Sequence, residues 1–273
     1  MSLSNEKEKI EKRGTSGRFF LLVLFFFLFQ TAFPATFTVR PSIIFISARK
    51  NINILRIQNE SSRSIRFQVR LFSWKQTPLG RFLLRPSEDL VYFPRLLTLP
   101  GNKTRIIRIG TESPFTKVEK TYRLLVRELP SSTSPGNAVR LLLNISVPIF
   151  ILPEKQILNG KITYFNLHHR IFSFTFVNHG TVYYVPQNIK VTGLAKNGKP
   201  IFYQNITGWY VLPNETREYQ VKIPYSKCGK IKVITVKAQT LHMMMKGRRL
   251  NKPDNVQSVL EASYPVQAGG CLP

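Results

Sequence analysis

The stretch Val139-Arg140-Leu141-Leu142-Leu143-Asn144-Ile145-Ser146-Val147 decides the fold. Side chains alternate across a β-strand, so Val139, Leu141, Leu143, Ile145 and Val147 share one face, and Arg140, Leu142, Asn144 and Ser146 share the other. Two readings follow. In the centre of a sandwich the five-residue row packs into its own core. At a sheet edge the same row comes with unpaired backbone, and the strand can then be lent to another chain. Leu142 is the sole large apolar residue in the opposite phase, and from the pattern alone the central strand is the more ordinary of the two readings.

Outward from this stretch, the chain is a series of short alternating apolar segments broken by turn residues, without a sustained helical period. It reads as all-β. Expected strands are Thr36–Phe45, Ile52–Gln58, Ile65–Trp74, Leu90–Tyr92, Lys103–Ile109, Thr121–Glu128 and Val139–Ile151, a set of seven that suits one immunoglobulin-like sandwich. A second set comprises Lys161–Phe165, Ile171–Val177, Ile189–Leu194, Pro200–Tyr203, Arg217–Ile223 and Lys230–Thr240. Pro153 interrupts the ladder between the two sets, which places the expected domains at 36–153 and 154–273.

The first 35 residues have a different grammar. Lys12, Arg13 and Arg18 precede an apolar run, Phe19–Phe29, and then Ala32 and Ala35. The run is shorter than the roughly 20 residues a spanning helix needs, so residues 1–35 read as a secretory signal peptide cleaved after Ala35. The remainder is then exported, with no membrane insertion after cleavage. The whole chain carries 40 basic and 14 acidic residues; without the leader 35 and 11 remain, a net charge of +24. Such a field draws acidic partners. The basic residues stand singly along the strands, as at Arg63, Arg66, Arg70 and Lys75, which is the pattern of a solvated face and argues against a nucleic-acid groove.

Cys228 and Cys271 are the chain's two cysteines, and an exported compartment permits them to pair as a disulfide closing the last sheet. No Cys-x-x-Cys or neighbouring histidine pair marks them as a metal or redox site. The histidines His168, His169, His179 and His242 lack ligand spacing, and no Gly-x-Ser-x-Gly or phosphate-binding glycine loop occurs. No catalytic residue, metal site or cofactor is expected.

Several segments resemble a known family. Phe37-x-Val39-x-Pro41, Leu55-x-Ile57-x-Asn59, Phe67-Gln68-Val69-x-x-Phe72-x-Trp74, Pro100-Gly101 before Ile106-Ile107-Arg108-Ile109, Thr121-Tyr122-Arg123-Leu124-x-Val126-x-Glu128-Leu129-Pro130, and Pro148-Ile149-Phe150-Ile151-x-Pro153 are similar, in order, to segments of PapD-like periplasmic pilus-assembly chaperones of the chaperone/usher pathway. Phe176-x-Asn178-x-Gly180 and Tyr210-Val211-Leu212-Pro213-Asn214 with Arg217 extend the likeness past Pro153. The features resemble the archaic or alternative branch more than the classical one.

The resemblance implies two immunoglobulin-like domains in a boomerang arrangement and a periplasmic, non-enzymatic role. Its partners would be pilus or fimbrial subunits, whose incomplete sandwiches are completed by the chaperone's seventh strand, and an outer-membrane usher that receives them. The donor residues would be Val139, Leu141, Leu143, Ile145 and Val147. The family also anchors the subunit's terminal carboxylate, classically with an arginine from the first strand and a lysine from the seventh. Counting back from Pro153, the lysine's position holds Pro148, which can carry neither charge nor an N–H. Arg123 is the expected replacement, because a guanidinium grips a carboxylate with two parallel hydrogen bonds; Arg40 is the second candidate. The alternative is a secreted immunoglobulin-like fibre subunit or adhesin, which would need an alternating extension ahead of its first strand.

Overall fold

The computed structural model describes residues 37–112, 116–130, 142–244, 254–267 and 269–271. From Thr38 onward the chain forms one compact unit. It is all-β among the described residues, apart from a four-residue helix, and it builds two immunoglobulin-like sandwiches.

The first sandwich contains β1 (Phe37–Arg40), β2 (Ile44–Ile46), β3 (Ile52–Asn59), β4 (Ile65–Gln76), β5 (Phe82–Pro86), β6 (Val91–Phe93), β7 (Leu96–Leu99), β8 (Thr104–Gly110), β9 (Lys120–Glu128) and β10 (Asn144–Ile151). One sheet has the order β1-β3-β8-β6. The other runs β2-β10-β9-β4-β5, with β7 also on β4. The second sandwich contains β11 (Gly160–His168), β12 (Ile171–Asn178), β13 (Val185–Leu194), β14 (Pro200–Ile206), β15 (Thr216–Lys222), α1 (Tyr225–Cys228), β16 (Val233–Met244) and β17 (Asp254–Pro265), in sheets β11-β12-β15 and β14-β13-β16-β17.

Alternation explains the cores. In β4 Ile65, Phe67, Val69 and Leu71 are buried while Arg66 and Arg70 are exposed. Leu55 and Ile57 of β3, Ile107 and Ile109 of β8, and Leu124 and Val126 of β9 are fully buried by the same rule. Two buried asparagines fix turns that apolar residues could not. Asn59 donates from Nδ2 to the carbonyls of Leu99 and Pro100 and accepts from the Ser61 N–H. Asn178 donates to the carbonyls of Val182 and Val211 and accepts from the Gly180 N–H. Gly180 itself is required, because a Cβ there would lie 2.3 Å from the Ile157 carbonyl oxygen.

Three expectations are corrected. The strand expected at Thr36–Phe45 is two strands in different sheets: β1 lies beside β3, whereas β2 pairs in parallel with β10. Pro41, with no N–H to give, stands outside both ladders at the crossing. β5 and β7 had no alternating signal, since β5 is nearly all exposed. The final strand β17 was also missed. Leu260, Ala262 and Tyr264 pack on the core in period two, but Val259, 54% exposed, breaks the phase.

Cys228, buried at the end of α1, is disulfide-bonded to Cys271, as expected from their pairing in an exported chain. The bond spans 43 positions. A loop of that length contributes about 4 kcal/mol by chain entropy, so Cys228→Ser with Cys271→Ser is expected to lower the stability of the second sandwich by up to that amount, read as a reduced denaturation midpoint.

Candidate functional site

β10 lies between β9 and β2, but the two neighbours differ in reach. Antiparallel pairing with β9 runs along the whole strand, from Asn144↔Arg127 to Ile151↔Lys120. Parallel pairing with β2 covers only Ile149, Phe150 and Ile151. The switch of the first strand between sheets therefore leaves Asn144–Pro148 without a ladder on one side among the described residues. The Leu143 carbonyl accepts the Glu128 N–H at 2.9 Å. By the alternation of an antiparallel ladder, residues 143, 145 and 147 bond toward β9, and Asn144, Ser146 and Pro148 turn their backbone groups to the open edge.

The apolar row is graded along its length. Ile149 and Ile151 are buried in the first sandwich, and Val147 is 2% exposed. Ile145 and Leu143, farther from the centre, are only half-buried. Val139 and Leu141 lie outside the described residues. One side-chain face thus begins in the chain's own core and runs out of it toward residue 143. On the opposite face Asn144 and Ser146 are exposed, and Leu142 is half-buried.

Pro148 is the cross-strand partner of Arg123. The side chain of Arg123 is 5% exposed and sits among aromatic rings: its guanidinium carbon is 3.7 Å from the centroid of Trp74, 4.7 Å from Phe82 and 5.7 Å from Tyr210. Its Nε and Nη2 are buried without a hydrogen-bond partner. Burial lowers its pKa to about 10, opposed by Tyr210, so it remains a cation at neutral pH. Ring faces stabilise the charge but give Nε and Nη2 no acceptor. Arg40 is elsewhere, exposed at the end of β1.

Tyr210 belongs to the second sandwich, and the cage is continuous with an apolar cluster joining the two. Phe45, Trp74, Phe150 and Leu152 meet Tyr183 and Leu212 there, with the Phe150 and Tyr183 rings stacked at 4.3 Å. The aromatic cage and this cluster were not anticipated as a site. Trp74 and Tyr210 appeared only as separate motif positions.

Glu119, just ahead of β9, ties the sandwiches together. Its N–H donates to the Thr181 carbonyl at 2.9 Å, and its Oε1 accepts the Tyr183 N–H at 3.1 Å. Its Oε2 is buried without a hydrogen-bond partner. Burial holds the carboxyl well above the usual carboxylate range, against the lowering effect of the Tyr183 N–H. A raised acid in the folded state contributes stability below its unfolded pKa and loses it as pH rises through the folded value. Glu119→Gln, which keeps the acceptor and cannot ionise, is therefore expected to raise the melting temperature at pH 8 and to show a shrinking advantage toward pH 4.

Comparison with known proteins agrees with this architecture. Residues 36–156 match the family described as pili and flagellar-assembly chaperone, PapD N-terminal domain. No curated protein sequence matches the chain. Among solved structures, the YadV chaperone is similar with TM-score 0.56 at 11% identity, over 84% of this chain and 100% of that one. The class 5 fimbriae chaperone CfaA has TM-score 0.52 at 13% identity, over 81% and 98%. The CsuC–CsuE chaperone–tip subunit pre-assembly complex, from archaic Csu pili of Acinetobacter baumannii, has TM-score 0.50 at 18% identity, over 68% and 91%. These likenesses share the fold of both sandwiches. The family match covers the first sandwich, and over both sandwiches the chain is similar in fold to these solved chaperones.

Proposed function

We propose that the chain is a periplasmic chaperone that captures pilus subunits by donor-strand complementation and hands them to an outer-membrane usher. The observation that carries this reading is the open edge at Asn144–Pro148, where the apolar row leaves its own core. A strand whose backbone is unpaired on one side among the described residues, with half-buried aliphatic side chains, can add to the sheet of a subunit that lacks one, filling its groove with Leu143 and Ile145 and, beyond them, Leu141 and Val139. Val147, already buried, marks the inner end of the donated segment. The process needs no cofactor and makes no covalent bond. It exchanges one strand for a better one.

Arg123 serves as the carboxylate anchor. It stands directly across from Pro148, where the resemblance places a lysine, so the positive charge has moved one strand sideways. Its unused donors are supplied with a partner when a subunit's terminal carboxylate enters the cleft. Arg40 is the alternative. The leader 1–35 directs export, and 36–153 and 154–273 act as the two domains.

The test is purification of tagged chain from its native periplasm. A 1:1 complex with a small β-rich subunit is the expected result. Recovery of the chain alone, or of polymers of the chain itself, would overturn the reading in favour of a fibre subunit.

A further inference from the structure

One end of the second sandwich gathers basic residues that lie far apart in the chain. Topology brings together the β11–β12 turn at 168–170, the β13–β14 turn at 195–199, and the run from the end of β15 through α1 to the start of β16 at 222–232. The Lys232 N–H donates to the Leu194 carbonyl, the Ile223 N–H to that of Arg170, and the Arg170 N–H to that of Gly270. Lys196, Asn197 and Lys230 line one shallow depression. The Cys228–Cys271 disulfide fastens α1 to residues 269–271 at the same end.

Lys196, Lys199, Lys222, Lys227, Lys230 and Lys232 are all exposed there, and Arg170 is half-buried beside them, its guanidinium carbon 5.8 Å from the centroid of Tyr225. None of the three stretches contains Asp or Glu. Tyr225 is 74% exposed. Within the sheet the charge is arranged differently: Lys237 of β16 is paired with Glu261 of β17 at 3.1 Å.

Like charges held at one end repel one another, and an anionic surface relieves the repulsion. The side chains select the kind of surface. Lysine is depleted in protein–protein contacts, where arginine and buried aromatic anchors predominate, so this end is poorly suited to a protein partner. Ammonium groups on flexible stems bind as point charges, which suits the mobile phosphates of a fluid headgroup layer. The exposed tyrosine among them has the amphipathic ring that sits at headgroup depth. β13 runs ten residues from the joint near Tyr183 to this end, so a contact here leaves β10 clear.

We propose that this end of the second sandwich rests on an anionic phospholipid bilayer, with the six lysines over headgroup phosphates and Tyr225 among the headgroups. The contact is peripheral, electrostatic and reversible. It does not depend on the donor-strand reading.

The test is vesicle flotation of the mature chain at about 0.1 M salt, with vesicles of phosphatidylcholine alone or containing about one-third phosphatidylglycerol. The chain is expected to float with the anionic vesicles and not with the neutral ones, and to be released at about 0.5 M salt, where screening is stronger. Lys196→Glu with Lys230→Glu and Lys232→Glu is expected to weaken binding at least about ten-fold. Arg56→Glu with Arg63→Glu and Lys103→Glu, an equal change of charge at exposed positions of the first sandwich, is expected to weaken it less than about three-fold. Equal losses in the two triple variants would show a diffuse field and overturn the proposal. So would equal flotation with neutral vesicles, or capture by soluble polyglutamate without binding to vesicles. Co-purification of the β10 partner is expected to be unchanged in the lysine variant, which separates failure of this proposal from failure of the donor-strand reading.

Discussion

Replacing Leu143 and Ile145 together with Asp is expected to abolish subunit capture while the chaperone stays folded. Both side chains are only half-buried in their own sandwich, on a strand whose outer edge has no partner strand among the described residues, so water can still solvate a carboxylate there. In a subunit groove the same positions would be enclosed. Each aliphatic side chain contributes roughly 1.5–3 kcal/mol when fully buried, so losing two costs roughly 10²- to 10⁴-fold in affinity. Burying the new carboxylates adds to that. Circular dichroism and thermal melting read the fold, and co-purification reads capture. A variant that unfolds would show instead that the two residues belong to the domain's own core.

The second large effect is at Arg123. Removing one partner of a buried, hydrogen-bonded charge pair typically costs about 2–5 kcal/mol, or roughly 30-fold to several thousand-fold in affinity. Arg123→Leu is therefore expected to weaken subunit binding by that range, whereas Arg63→Ala, at an exposed position, changes it little. Arg123→Lys should rescue only partly, because an ammonium cannot make the two-pronged contact. The unbound chaperone supplies an independent signature. Its buried guanidinium has Nε and Nη2 unpartnered, so replacing it with a volume-filling aliphatic residue is expected to leave the melting temperature unchanged or raise it. A variant that is as stable as the parent and has lost its partner would mark Arg123 as a binding residue. Unaltered affinity would move the anchor to Arg40.

The sandwiches were legible because burial imposes period two on β3, β4, β8, β9 and β12, and that period survives in any sequence that must fill two facing sheets. Three kinds of information were not local. The division of the first strand at Pro41 depends on which sheet each half joins, and this sets how much of β10 is covered. β17 carried a phase error at Val259, and only its twelve-residue ladder with β16 settles its place. The surroundings of Arg123 are assembled from β4, β5 and a loop of the second sandwich, residues far apart in the chain, so its aromatic cage could not be read from the motif around it. The pairing of Arg123 with Pro148 is likewise a fact of register.

Residue-resolved amide exchange of the chaperone, free and bound to the subunit that co-purifies with it, tests the central claim most directly. In the free chain the N–H groups of Asn144 and Ser146 face the open edge, while those of Ile145 and Val147 bond toward β9. If β10 is lent to the subunit, the Asn144 and Ser146 amides should slow by about 10²-fold or more on binding, with Ile145 and Val147 changing less. Tight binding that leaves the Asn144 and Ser146 amides exchanging as fast as in the free chain would contradict the account.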